Sequence, residues 1–230
     1  MARPVLALLV VSLSQMLVVP ASGSQGDYQL ARSRVATDRA RLAAQLGEPG
    51  QRSAIRQQAR RRIEKAVFDL SRHWLGTRWA LGAPQTNRPG VGKVNCGTFV
   101  GRILRDAGFV VRVKKLQRQP SALIIKSFVG GKRVRKFSNA SMSSFLRSVR
   151  QMGPGVFIVG LDFHVGFLIQ TERDLRFVHA SYVTHTVVDE PAATAVPIVT
   201  SKYRVVGKLL SNRNIDDWLL GRRIRVKGRW

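Results

Sequence analysis

The sequence predicts an α+β domain in which helices come first and an antiparallel sheet follows. Between about residues 27 and 152, several segments repeat apolar residues with helical spacing. After Gly155 the apolar segments become short, β-branched and aromatic, with turn residues between them. Hydrophobic residues make up 44% of the 230 residues, which is enough for a packed core. Helices followed by a run of strands are typical of the α+β class.

Residues 1–23 have the pattern of a secretory signal peptide. Arg3 supplies a basic start, Leu6–Val19 is mainly apolar, and Ala21–Gly23 offers small residues for cleavage. We therefore expect cleavage near Gly23 and export. An uncleaved membrane anchor is the alternative, but the apolar run is short for a span of about 20 residues. No second stretch is long enough, so the mature chain is predicted to lack a transmembrane span.

The first two helices are strongly basic. A thin apolar stripe runs along residues 27–46, and the break at residues 47–50 precedes a stronger helix that Ser53 is predicted to cap. Residues 24–52 are interpreted as a basic helical extension, and residues 53–230 as the main domain. The extension could be a pro-segment over a cleft, a wall anchor or a packed helix.

Cys96 is the only cysteine, and it is predicted to lie in the first turn of a helix. Asn95 is a good N-cap residue, residues 99–107 form an apolar face, and Gly108 is the expected stop. The helix dipole and free N–H groups at that position favour a thiolate. A small buried hydrophobe is the alternative reading. An exported chain with one cysteine cannot form an internal disulfide, which favours a working thiol.

The remaining elements are shorter. A short strand is predicted at residues 110–113, followed by helices that begin at Ser121 and Ser141, with the basic run 132–136 between them. The predicted strands cover residues 156–161, 164–170, 175–182, 183–188 and 202–209. The chain then closes with the apolar segment 215–220 and a basic tail.

His164 and His179 lie on consecutive predicted strands that flank the polar turn 171–174. If the loop has an even number of residues, both imidazoles lie on one face of the sheet. His164 would then oppose either His179 itself or Ser181, with His179 diagonal to it. In this position His164 could take the Cys96 proton, or hold it in a thiolate–imidazolium pair, and His179 could fix its tautomer. The Cys96 backbone N–H would help to stabilise an oxyanion.

Two further groups could take part. Asp162 could orient a histidine in place of His179, but it lies two residues before His164 on the same strand and is expected to be solvated. Ser181 beside a histidine could suggest a serine hydrolase, yet the chain has no Gly-x-Ser-x-Gly elbow there.

The other histidines are interpreted as bystanders. His73 precedes the segments considered above, and His185 lies beyond the predicted hairpin. A zinc site from His164, His179, His185 and Cys96 is conceivable, because all four are ligand types. No short ligand pair accompanies them, so neither a metal nor another cofactor is predicted.

Four ordered segments resemble NlpC-type cysteine peptidases of bacterial cell walls, members of the papain-like superfamily. The segments are LGTRWALG, NCGTFVGRILRDAGF, GPGVFIVGLDFHVGFLI and FVHASY, and they span roughly residues 70–185. The resemblance implies a papain-like fold with a helix-borne nucleophile. It also implies that Cys96 is the nucleophile, His164 the base and His179 the orienting residue.

The chain departs from that family at three places near the cysteine. Asn95 stands where the family usually has Asp, Gly97–Thr98 replaces Ser-Gly, and Trp79 replaces a tyrosine. Asn95 and Trp79 are therefore the candidates for substrate binding or oxyanion contacts. The departures also motivate an alternative function, in which the fold is kept without its chemistry and binds polyanions or the cell envelope.

Charge restricts the choice of partner. The chain carries 39 Lys and Arg against 13 Asp and Glu, a net charge of +26. An exported protein of this charge is expected to bind peptidoglycan or another anionic envelope polymer. Nucleic acid is the expected partner only without export, and the basic segments show little interleaving of aromatic residues. The leading hypothesis is an exported cysteine hydrolase of amide bonds in peptidoglycan stem peptides. An amidase or acyltransferase variant remains open.

Overall fold

The computed structural model describes residues 24–47, 50–82, 84–130 and 133–228. The predicted signal segment, residues 1–23, lies outside the described residues. Within the described part of the chain, no helix has both the length and the apolar character needed to cross a membrane.

Six strands form one antiparallel sheet. In chain order they are β3 (Val134–Ser138), β4 (Gly155–Gly160), β5 (Val165–Gln170), β6 (Leu175–Ala180), β7 (Val187–Pro191) and β8 (Tyr203–Lys208). Their spatial order is β3-β8-β4-β5-β6-β7, and every neighbouring pair is antiparallel. A separate parallel pair joins β1 (Arg78–Trp79) to β2 (Lys93–Val94).

Helices cover both faces of the sheet. They are α1 (Gln25–Ala44), α2 (Arg52–His73), α3 (Cys96–Asp106), α4 (Val113–Leu116), α5 (Ser121–Phe128), α6 (Met142–Arg150), α7 (Val196–Thr200) and α8 (Asn212–Leu219). The predicted α+β class is confirmed, with helices packed on an antiparallel sheet.

The strand side chains alternate between two hydrophobic clusters. On β4, Val156 and Ile158 pack in the larger cluster with α1, α2, α3, α5 and α8. Phe157 and Val159 point to the smaller cluster, which contains Phe145 of α6 and residues of α7. All six residues of both β4 and β5 are buried. This explains why these strands read as continuous apolar runs rather than as an alternation.

Helix α1 shares the main core instead of standing apart from it. Tyr28, Val35 and Leu42 of its apolar stripe are buried. The Tyr28 hydroxyl donates to Asp106 Oδ2 at 2.6 Å and accepts from Trp74 Nε1 at 3.0 Å. Of the roles left open for residues 24–52, this packing matches the packed helix. Residues on both sides of the predicted boundary at residue 52 therefore belong to one hydrophobic cluster.

Several predicted boundaries are wrong. Ser53 does not cap α2, because the helix begins at Arg52 with Gln51 as N-cap and no side-chain cap bond. Residues 110–113 do not form a strand: Val110 makes a single bridge to the C-terminal tail, and Val113 already begins α4. The basic run near residue 134 instead starts the edge strand β3.

Strand β7 begins later than predicted because a turn precedes it. The Ser181 hydroxyl accepts from the N–H groups of Val183 and Thr184, at 3.1 and 3.2 Å. His185 follows in the left-handed region, with φ of 56°. This turn uses residues 181–186, so the strand starts at Val187.

Candidate active site

Cys96 is the first residue of α3, as the sequence predicts. The Asn95 side chain caps the helix by accepting from Thr98 N at 2.8 Å. Gly97 packs against the next segment so closely that an added Cβ would lie 2.9 Å from the carbonyl oxygen of Gln117. This close approach explains why glycine follows the cysteine, since any larger residue would push the two backbones apart.

The β5–β6 hairpin brings the two histidines together. Its register pairs Phe167 with Val178, which corresponds to the second of the two predicted even-loop arrangements. His164 Nε2 lies 2.7 Å from His179 Nδ1, and both side chains are buried. The predicted contact between the imidazoles is confirmed.

A carboxylate that the sequence reasoning missed extends this pair. His179 Nε2 lies 2.8 Å from Glu190 Oε1. Glu190 lies on β7, where Val188 is the residue opposite His179, so Glu190 is on the same face and diagonal to it. The predicted strand stopped at residue 188. A strand continued to residue 191 would have placed Glu190 next to His179.

Cys96 and His164 line one cavity of about 350 Å³. Its other walls are mainly apolar or neutral, and include Leu81, Asn95, Gln117, Pro120, Ala122, Ile124, Leu161 and Tyr203. Phe163 stands at the mouth with 96% of its surface exposed. Among the described residues that line the cavity, Asp162 is the single acidic one, and Lys and Arg do not occur.

Asp162 is occupied by the backbone and is not joined to a histidine. Its two carboxylate oxygens accept from the N–H groups of Lys202 and Tyr203, each at 2.9 Å. These bonds hold the pKa of Asp162 below its usual range. The acid that contacts His179 is therefore Glu190.

Trp79 lies behind the cavity and is not among the residues that line it. Its ring centroid is 6.4 Å from Tyr182 and 5.9 Å from His185, and Tyr182 in turn lies 5.3 Å from the His164 ring. The buried Trp79 Nε1 has no hydrogen-bond partner among the described residues. Tyr182 thus lies between Trp79 and His164. Asn95 does line the cavity, although its side-chain oxygen is engaged as the helix cap.

The other two histidines lie outside the cavity. His73 packs edge-on against Tyr28 at 5.6 Å, at the end of α2. His185 contacts Trp79 in the turn before β7. Within the described ranges, no three His, Cys, Asp or Glu side chains are grouped so that they could hold a metal ion.

Burial controls the titration of the site. It lowers the pKa of His164 to about 4, and it also lowers the pKa of His179, with a further contribution from His164. Burial raises the pKa of the Cys96 thiol, against backbone N–H groups of Val165, Gly97 and Cys96 that lower it. The N–H groups at the helix start therefore lower the thiol pKa, as the sequence predicts, but burial outweighs them and the pKa of Cys96 lies above its ordinary value.

No family model matches the chain, and no curated protein matches it. Crystal structures described as an N-acetylmuramoyl-L-alanine amidase from Bacteroides uniformis ATCC 8492 are similar to it. One aligns at 12% identity with a TM-score of 0.37, over 66% of this chain and 100% of that chain. Another aligns at 13% identity with a TM-score of 0.37, over 65% and 98%. Likeness at this level carries no argument about function, and membership of the NlpC-type family stays a prediction.

Proposed function

We propose that the protein is an exported cysteine hydrolase that cleaves an amide bond in peptidoglycan stem peptides. One observation carries the proposal: Cys96 at a helix start shares a cavity with His164, the first member of a hydrogen-bonded chain that continues through His179. A nucleophile, a base and a group that orients the base are the parts that thiol acyl transfer requires. The stem-peptide substrate rests on the ordered motifs of residues 70–185 and on the basic character of the chain.

The chain of contacts selects the tautomer of the base. An ionised Glu190 can only accept, so His179 Nε2 carries the proton in their 2.8 Å contact. A neutral His179 then has a bare Nδ1, which accepts from His164 Nε2–H at 2.7 Å. His164 is left with a lone pair on Nδ1. Glu190 is thus a positioning residue that makes His164 a base.

The proposed reaction begins from the neutral pair. His164 Nδ1 removes the Cys96 proton as Sγ attacks the carbonyl carbon, and the negative charge moves to the carbonyl oxygen. The N–H groups at the start of α3 stabilise that oxygen. The C–N bond then breaks, the amine leaves with the proton from Nδ1, and a thioester remains on Cys96. Water, deprotonated by Nδ1, releases the acid and the free thiol.

The second candidate is a polyanion-binding protein that has lost hydrolysis. The raised pKa of the Cys96 thiol and the occupied Asn95 cap favour it. The contact between His164 and His179 favours the hydrolase, because it supplies the base and the group that orients the base, both of which thiol acyl transfer requires. An acyltransferase would use the same thioester with an acceptor other than water.

A digest of purified peptidoglycan, with fragments read by mass spectrometry, tests the proposal. The chain from residue 24 should release new stem-peptide fragments, and Cys96→Ala should release none. Cys96→Ser keeps the size of the side chain and is the matched control: loss of fragments in this variant as well would show that the thiol, and not the packing around it, is needed. Fragments from wild type and Cys96→Ala alike would contradict the thiol mechanism. No fragments, together with salt-sensitive sedimentation of all three proteins with the wall, would support the binding candidate.

A further inference from the structure

A second cavity, far more basic than the first, lies between the end of α5, the start of α8 and residues 222–228. This basic groove has a volume of about 920 Å³, and seven of the described residues that line it are Lys or Arg. Its one acidic lining residue, Asp217, lies 4.0 Å from Arg213 and 3.9 Å from Arg222. Within the described part of the chain, no ion pair involves the other five cations, Lys126, Arg133, Arg223, Arg225 and Lys227.

In the C-terminal tail, residues 222–228, exposed basic residues alternate with buried apolar ones. Ile224 and Val226 are buried in the main core. The residues that alternate with them are exposed, and these are Arg223, Arg225 and Lys227. Backbone bonds fix the segment: Ile224 N donates to Val110 O at 2.9 Å, and Lys227 N donates to Ser127 Oγ at 2.9 Å. In an extended chain, alternate residues stand about 6.6 Å apart, so the cations form a regular linear array.

Such an array fits a linear polymer with regularly spaced negative charges. Arginine forks bind phosphate oxygens with two parallel hydrogen bonds. Phe128 is the one aromatic among the described lining residues, and it is only 5% exposed, so the groove offers no surface on which bases could stack. We propose that the basic groove binds a linear phosphate-bearing polymer without aromatic bases, and that it holds this polymer beside the catalytic cavity.

Two contacts join the groove to the catalytic cavity. Ser121 and Ala122 at the start of α5 line the catalytic cavity, while Lys126 near its end lines the basic groove. The tail also connects the two: Gly228 lines the groove, and a Cβ added to it would lie 2.9 Å from Oε1 of Gln119, which lines the catalytic cavity. The two cavities therefore share the eight-residue helix α5, which is about 12 Å long. A wall polymer held there would raise the local concentration of linked substrate, an effect that rests on the proposed function.

Binding of fluorescein-labelled inorganic polyphosphate, followed by anisotropy over a range of salt concentrations, tests the groove. The variant R223Q/R225Q/K227Q removes the array. The matched control R34Q/R61Q/R173Q removes three exposed cations elsewhere, none with a described ion pair. We expect the groove variant to weaken binding at least tenfold and to flatten the slope of log K against log salt by about 2, since each lost phosphate contact accounts for about 0.7. The control should change binding less than twofold.

Equal weakening by both variants would overturn the proposal, because charge would then act without a site. Tighter, groove-dependent binding of a single-stranded oligonucleotide would also overturn it in favour of nucleic acid. Cys96→Ala separates the two proposals. If Cys96→Ala binds polyphosphate as wild type does, and wild type itself does not digest peptidoglycan, the groove proposal is supported and the hydrolase proposal is rejected.

Discussion

The catalytic cavity and the basic groove are neighbours along α5, yet their chemistry is opposite. Among the described lining residues, the cavity of Cys96 and His164 has a single acidic one, Asp162, whose oxygens are bound to backbone. Seven cations line the groove. The described lining of the cavity that holds the thiol thus contains none of the Lys and Arg that give the chain its net charge of +26. Burial and hydrogen bonds govern the cavity, so its chemistry should resist salt. Charge governs the groove, so its binding should weaken with salt.

Replacing the thiol of Cys96 should give the largest difference between the two regions. Cys96→Ser should lower amide hydrolysis by at least about 1,000-fold, because a hydroxyl is a far weaker nucleophile than a thiol beside the same histidine base. Polyphosphate binding and thermal stability should stay at the wild-type values. Rates are read by chromatography of released fragments and binding by anisotropy. A comparable loss of polymer binding would mean that the two regions are one site.

Glu190 offers a smaller change inside the cavity network. Glu190→Leu should lower kcat about 100-fold with KM unchanged, because His179 then loses the acceptor that sets its tautomer. Glu190→Gln should recover part of the rate, since its amide oxygen can still accept from His179 Nε2. Nitrogen-15 shifts of the imidazoles should show the His164 proton on Nε2 in wild type. In Glu190→Leu they should show a mixture of the two neutral tautomers, with the proton on Nδ1 in one and on Nε2 in the other. Unchanged shifts in Glu190→Leu would refute the positioning role.

The rate of alkylation of Cys96, measured against pH and salt concentration, tests whether burial governs the cavity. Because burial raises the thiol pKa, iodoacetamide should react with the resting protein at pH 7.5 about tenfold more slowly than with free cysteine. The rate should rise toward alkaline pH and should not change between low and high salt. Fast alkylation at acidic pH would instead indicate a thiolate–imidazolium pair. Intact-mass measurement over time gives the rates.

Acid stability gives the smallest effect. In the folded protein burial lowers the pKa of His164 to about 4, whereas in the unfolded chain it is about 6.5. The free energy of unfolding should therefore be highest above about pH 6.5 and should fall as the pH drops toward 4. This residue should cost about 1 kcal/mol at pH 5.5. Urea unfolding of wild type and His164→Gln should show a shallower pH dependence in the variant. Parallel curves would mean that His164 is not buried neutral.

Local patterns account for what the sequence predicted correctly. The helical period and Asn95 placed Cys96 at a helix start, and the side-chain parity of a hairpin with a four-residue loop placed His164 beside His179. Both inferences need only neighbouring residues and one turn. The same parity would have identified Glu190 if the end of β7 had been known.

Long-range contacts account for what could not be predicted. The turn held by Ser181 moves β7 toward the C-terminus, which hid Glu190. Tyr28 is fixed by Asp106, 78 residues away, so the apolar stripe of α1 could predict a buried face but not the residues against which it packs. The pKa of Cys96 followed burial rather than the helix dipole, and burial depends on the whole cavity. The basic groove likewise combines residues from α5, α8 and the tail.

Trapping the acyl-enzyme tests the thiol mechanism most directly. Wild-type protein is mixed with a soluble stem-peptide fragment, quenched in acid within seconds and digested, and the peptide that carries Cys96 is weighed by mass spectrometry. We predict a hydroxylamine-labile adduct on Cys96 whose mass equals the acyl half of the substrate, with the amine half free in solution. Cleavage of the same fragment without any adduct, and its persistence in Cys96→Ala, would contradict the mechanism.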